Sequence, residues 1–204
     1  MDFKNDFFKL LDKLKTKENF AFTRFSDGEI AIMQGKVLVL ASDKVILGET
    51  IYGFGYSESD HKDFDPQRDK FLTGKLIEAY QFKKDNYFVG GTCRNCTCAS
   101  QEFKPWMRNL YGPDEQAMSA NLLVNSNYPM FINHFVPVFS NRKIVLICNE
   151  NANLDDLPFE VVKDFRVGKN CIINDHHLVE EIKEFIDMTE AKDHVFLFSA
   201  SSLT

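Results

Sequence analysis

The chain has little cysteine: five residues in 204, at Cys93, Cys96, Cys98, Cys148 and Cys171. These are too few and too unevenly spread for a disulfide scaffold, so reduced thiols in a cytoplasmic protein are the expectation. Long apolar runs are missing. None approaches the ~18 residues of a membrane helix, and no membrane span is expected. The segment MDFKNDFFKLLDKLK at the start mixes charges throughout. It lacks the apolar stretch of a signal peptide. A basic excess is missing too. Lys and Arg number 24 against 30 Asp and Glu, a net charge of −6, which speaks against a nucleic-acid partner. With 44% hydrophobic and 26% charged residues, disordered and collagen-like classes are excluded.

Phenylalanine is abundant, with 20 copies against a single Trp. A Phe-rich core is the structural consequence. The length suits one sizeable α/β core, and residues 1–204 are read as a single domain.

Periodicity gives the layout. Phe3, Phe7, Leu10, Leu11 and Leu14 form one helical stripe. Residues 19–25 alternate as a strand, and 26–34 read as a short helix stopped by Gly35. Residues 36–47 are β-branched and apolar, giving one or two strands. Residues 48–64 read as a long loop. Helices are then expected over 67–82, 101–111, 128–139 and 177–188. Strands are expected over 86–91, 118–124, 143–148, 170–173 and 194–199. Alternating strands and helices predict an α/β fold, a Rossmann-like, mostly parallel sheet with helices on both faces. In such sheets ligands bind beyond the carboxyl ends of the strands. Those ends hold Arg24–Glu29, Gly90–Cys98, Asn125–Tyr128, Asn149–Asn153, Asn174–His177 and Ser199–Ser202.

Arg24-Phe25-Ser26-Asp27-Gly28-Glu29 carries the sharpest chemistry. Two carboxylates beside an arginine at a strand-to-helix turn suit a hard cation and phosphates. Mg²⁺ and Mn²⁺ prefer carboxylate oxygen and leave positions for phosphate. An Arg fork and the helix-start N–H groups would add to that. The same residues admit a second reading. Ser26-x-x-Glu29 is a capping box ahead of Ile30-Ala31-Ile32-Met33, with Asp27 complementing the helix dipole. In a continuous helix, residues two apart diverge by roughly 200°. The two readings are compatible, and both stay open.

The stretch Phe22-Thr-Arg-Phe-Ser-Asp-Gly-Glu-Ile30, behind an N-terminal helix, resembles the Arg-Phe-Gly-Asp-Gly-Glu signature of the GT-D-type glycosyltransferases. These are bacterial sugar-nucleotide enzymes first catalogued as a domain of unknown function. The resemblance implies that Asp27 and Glu29 are catalytic and hold Mn²⁺ or Mg²⁺ on a diphosphate, with Arg24 and Gly28 beside them. It implies a nucleotide-diphospho-sugar donor, such as a UDP-sugar, and a glycan or glycoprotein acceptor in surface-glycan assembly. It extends weakly over residues 67–90, 125–131, 143–149, 170–186 and 195–202. Ser26 departs from the family's Gly. Asn149-Glu150-Asn151-Ala152-Asn153 stands where the family has a Gly- and Arg-rich stretch. The family continues beyond Thr204 with a further helix, so a shortened form is expected.

Other candidates surround this motif. Glu150 is a candidate general base or second metal carboxylate, against a solvated loop acid, and Asp175 is a weaker base. Asn125 and Asn127 suit sugar hydroxyls or nucleotide edges, against a helix cap. Ser199 stands at a strand end as a donor contact. His176-His177 suit phosphate, against a surface helix start capped by Asp175. Cys93-x-x-Cys96-x-Cys98 offers three thiolates to Zn²⁺, yet lacks a fourth ligand in sequence. Two other classes therefore remain: a non-catalytic nucleotide- or sugar-binding module, and a zinc-stabilised interaction protein. A second copy of the chain is a further candidate partner.

Overall fold

The computed structural model describes residues 3–53, 55, 61–91, 110, 116–189 and 193–199. The chain divides into two compact units. The first comprises Met1–Gly35 and Lys70–Phe135, the second Lys36–Asp69 and Val136–Thr204.

In the first unit, α1 (Phe3–Thr16) buries Phe7, Leu10, Leu11 and Leu14. These are the i, i+3, i+4, i+7 positions of its apolar stripe. Strand β1 (Ala21–Arg24) leads into α2 (Asp27–Met33). Gly35 ends that helix at φ +65°, with its N–H on the Ile32 carbonyl at 2.9 Å. Only a residue tolerant of the left-handed region closes a helix in this way. Helix α3 (Lys70–Gln81) buries Leu72, Leu76 and Tyr80. Its Thr73 hydroxyl donates to the Ile32 carbonyl at 3.0 Å, tying α3 to α2. Strands β6 (Tyr87–Gly91) and β7 (Ala117–Ser119) complete a parallel sheet of order β1-β6-β7. A single turn at Asn125–Asn127 runs into α4 (Tyr128–His134). The Phe7 and Phe135 rings meet edge to face at 5.1 Å, and Phe25 meets Tyr80 at 4.9 Å.

Gly90, in the central strand, is where this sheet is tightest. A Cβ there would lie 2.8 Å from the Phe22 ring and 3.3 Å from the Ala120 Cα. Overpacking of this kind costs about 1–3 kcal/mol. Gly90→Ala is therefore expected to lower the urea midpoint of unfolding without changing its slope.

In the second unit, β2 (Leu38–Leu40), β3 (Val45–Leu47), β4 (Thr50–Tyr52) and β5 (Lys62–Phe64) form an antiparallel sheet of order β4-β3-β2-β5. Short α5 (Val136–Phe139) precedes β8 (Lys143–Asn149). Strand β9 (Val161–Val167) and β10 (His194–Ser199) flank β8 in a parallel sheet of order β10-β8-β9. Helices α6 (Cys171–Asn174) and α7 (Leu178–Met188) lie between β9 and β10 in the chain. Val145, Ile147, Phe165, Val167, Cys171, Leu178 and Ile182 make one buried cluster.

Arg68 and Asp69 hold the end of this unit's first segment. The guanidinium donates to both Asp69 oxygens at 2.7–3.0 Å and to the Asp63 carbonyl at 2.7 Å. The Arg68 fork holds the Asp69 carboxyl below its ordinary range, against the opposing effect of burial. Such a group stabilises the fold above the unfolded-state value of ~3.9. That contribution is lost as pH falls through the lowered native value. Asp69→Asn is expected to cost about 1 kcal/mol at neutral pH. The difference from wild type should shrink on acidification, in thermal melts across pH.

Several sequence expectations are corrected. Among the described residues the parallel strands form two three-stranded sheets, one in each unit, and a separate antiparallel sheet is present. The stretch 48–64 contains β4 and β5 rather than only loop. Residues 170–173 begin a helix, not a strand: Asn170 sits in the left-handed region at φ 54°, and α6 follows. The ladder position belongs to β9, an edge strand whose exposed Val162, Lys163 and Arg166 disguised it. The helix over 128–139 breaks at Phe135. Pro137 lacks an N–H, and its ring clashes with the carbonyl four residues earlier. The expected helix over 101–111 lies outside the described residues, apart from Leu110.

Candidate active site

The turn after β1 is built by reciprocal capping. Ser26 has an extended backbone, its side chain accepts from the Glu29 backbone, and Glu29 reaches back to the Ser26 N–H at 2.8 Å. Glu29 is only 9% exposed. The capping box is thus present, and one Glu29 oxygen is committed to it. Asp27 opens the regular helix, so its side chain diverges from that of Glu29 two residues on.

Asp27 is the available carboxylate. It is exposed, and among the described residues no hydrogen bond to its carboxylate is present. Partial desolvation nevertheless pushes its carboxyl above the usual range. Arg24 opposes that shift, and the charge of Glu29 adds to it. A carboxylate that is costly to keep charged gains most from a cation.

Arg24 joins this turn to a second loop. Its Nε donates to the Ala120 carbonyl at 3.1 Å, and its terminal nitrogen to the Ser26 hydroxyl at 2.9 Å. The guanidinium therefore spans from the end of β1 past the glycine pair of β6 to the end of β7. Beyond Ala120, Asn121 donates its N–H to the Ser119 hydroxyl at 3.3 Å. Its Oδ1 accepts from Asn125 at 2.9 Å, and its backbone carbonyl from Asn127 at 2.7 Å. Asn125 holds φ 57°, an uncommon backbone for a side-chain-bearing residue that Asn tolerates best. Arg24, Ser26, Asp27, Asn125 and Asn127 are thus gathered at the carboxyl ends of one parallel sheet. Gly28 is the second residue of α2. Sequence reasoning grouped Asn121 with Asn125, Ser126 and Asn127 at a strand end. It missed Ala120 as the anchor of Arg24, because a backbone carbonyl leaves no mark in a sequence.

Glu150 and Ser199 lie in the second unit. Glu150 is exposed directly after β8. Asp175 accepts the Gly168 N–H at 2.8 Å. The Glu150 and Asp175 carboxylates flank Gly168, at 3.6 Å and 3.8 Å from where its Cβ would be. Arg166, missed with its strand, donates to the carbonyls of Asn149, Glu150 and Ala152 and so pins the loop carrying Glu150. Ser199 is exposed at the end of β10, in register with Cys148. His177 is exposed, 3.9 Å from Glu181. The thiols of Cys148 and Cys171 are buried and form no disulfide. Burial raises both, and that of Cys171 reaches about 11, so neither is poised as a nucleophile. Cys93, Cys96 and Cys98 lie outside the described residues.

The fit to a divalent cation follows from these donors. Among the described residues no three His, Cys, Asp or Glu side chains gather as a metal site. Mg²⁺ commonly takes only one or two protein carboxylates and completes its shell with phosphate and water. Asp27 beside Arg24 matches that pattern. Among the described residues no helix is long and apolar enough to cross a membrane.

No family model matches the chain. No curated protein matches it. A solved structure of the highly conserved domain of unknown function 1792, described as a distinct glycosyltransferase fold, is similar to it. The similarity covers 97% of this chain and 69% of that one, with a TM-score of 0.57 and 15% identity. The chain has the glycosyltransferase fold described for that domain.

Proposed function

We propose that the chain is a metal-dependent glycosyltransferase using a nucleotide-diphospho-sugar, such as a UDP-sugar. One observation supports this most: on a glycosyltransferase fold, Arg24 joins a turn bearing an exposed, raised carboxylate to an amide-rich loop. Asp27 would hold Mn²⁺ or Mg²⁺ at the diphosphate. Glu29 contributes mainly by fixing the turn and is the weaker proposed metal contact. When bound, the cation supplies Lewis-acid stabilisation of the charge that develops on the leaving diphosphate. Arg24 has N–H groups left after its two internal bonds, and these pair with phosphate oxygens. The acceptor hydroxyl attacks the anomeric carbon as the glycosidic bond to phosphate breaks. Its proton goes to a general base. Asn125 and Asn127 are proposed donor contacts. A glycan or glycoprotein acceptor and a cytoplasmic setting complete the reading.

The second reading is a nucleotide-sugar-binding module without turnover. The commitment of Glu29 to the capping box favours it. Thermal-shift measurements with nucleotide sugars, with and without Mn²⁺, test what both readings share. A donor at ~100 times its Kd stabilises by ~2.7 kcal/mol. No shift with any donor contradicts both.

A further inference from the structure

We propose that Asn121 is a positioning residue that sets the amide loop to read the hydroxyl-bearing part of the donor rather than its phosphates. The inference rests on the nucleotide-sugar reading above. Its ground is a count of donors and acceptors. Each Asn side chain has two N–H donors and one carbonyl acceptor. Asn125 gives one N–H to the Asn121 Oδ1, and Asn127 gives one to the Asn121 backbone carbonyl. Each therefore keeps its carbonyl oxygen and one further N–H. A donor and an acceptor side by side match a hydroxyl, which both gives and takes a hydrogen bond. A phosphate only accepts, and its partner in this sheet is Arg24, which has donors alone.

The placement supports this division of labour. Arg24 bonds the carbonyl of Ala120, the residue before Asn121. The Ala120 N–H is itself fixed on the Gly91 carbonyl. The phosphate-pairing group and the hydroxyl-reading loop therefore share one anchor. Asn125 is exposed and sits at φ 57°. Its side-chain bond to Asn121 is what restricts its amide to one direction.

The test uses the full chain and calorimetric titration in Mn²⁺. The probes are a panel of UDP-, GDP- and dTDP-linked hexoses, the matching nucleoside diphosphates, and inorganic pyrophosphate. Asn121→Leu removes the acceptor at similar volume. It should weaken the bound nucleotide sugar about tenfold and leave pyrophosphate within twofold. Asn125→Ala should give the same loss, and the double variant no more than either single. Asn121→Asp keeps the acceptor oxygen and should retain the wild-type ratio of nucleotide-sugar to pyrophosphate affinity. Comparison of the sugar-linked and sugar-free nucleotides assigns the hydroxyl to the transferred sugar or to the ribose. Equal weakening of pyrophosphate by Asn121→Leu, or full nucleotide-sugar affinity in Asn125→Ala, overturns the inference and leaves the glycosyltransferase reading intact. Failure of the wild-type chain to bind any nucleotide sugar overturns both.

Discussion

Asp27→Asn is expected to abolish cation-dependent donor binding while the unliganded protein melts no lower than wild type. Two facts combine here. The Asp27 carboxyl is raised by desolvation and by the charge of Glu29, with only Arg24 opposing. For an acid with a raised native pKa, the charged form costs stability above that pKa. The cost disappears as pH falls through it. Neutralising Asp27 by mutation therefore relieves the apo fold at neutral pH. The same change removes the anionic ligand, so the expected loss of donor affinity in Mn²⁺ is on the order of 100-fold. The pH profile carries a second sign. Wild-type donor binding should fade on acidification at a higher pH than an ordinary aspartate would allow. Protonated Asp27 does not ligate a cation. Melting curves and titrations at several pH values check both parts. A destabilised Asp27→Asn with unchanged donor affinity would make Asp27 a structural residue.

The second large effect concerns Glu29. Glu29→Ala leaves the Ser26 N–H without its acceptor and removes a side chain that is 9% exposed. Loss of a cap costs about 0.5–2 kcal/mol, and a buried unpaired N–H about 1–3. About 2 kcal/mol is expected for the two overlapping effects together. Glu29→Gln keeps an acceptor oxygen and should restore most of that stability. The Gln variant also separates roles. With Glu29 acting by fixing the turn, Glu29→Gln retains donor binding within a few fold. Loss as large as in Asp27→Asn, at wild-type stability, would show that both carboxylates hold the cation directly.

The legible part of this fold was its helix stripes and its buried strands. Phe7, Leu10, Leu11 and Leu14 announce α1 by spacing alone, and the unbroken apolar run of β8 announces a covered strand. Edge elements were hidden. Strand β9 carries Lys163, Asp164 and Arg166, because an edge strand exposes part of its length, and its charges masked the Phe165 and Val167 alternation. Ile172 and Ile173 looked like strand because a short β-branched run has no period to decide it. The left-handed backbone at Asn170, which turns the chain into α6, is a tertiary choice. At the site, the Ser26–Glu29 box and the exposed Asp27 were both readable as types at a spacing. Their division of roles was not. It depends on which carboxylate finds a backbone N–H, and that is a matter of rotamer and burial. The Arg24 link to Ala120 spans 96 residues and ends on a carbonyl, so no local pattern encodes it.

The most direct test is the release of nucleoside diphosphate from nucleotide sugars by the wild-type chain and by Asp27→Asn, each with Mn²⁺, with Mg²⁺ and with chelator. The account predicts cation-dependent release by the wild-type chain, transfer to a glycan or glycoprotein acceptor, and a loss on the order of 100-fold in Asp27→Asn. Release that is indifferent to both the cation and Asp27 would contradict it.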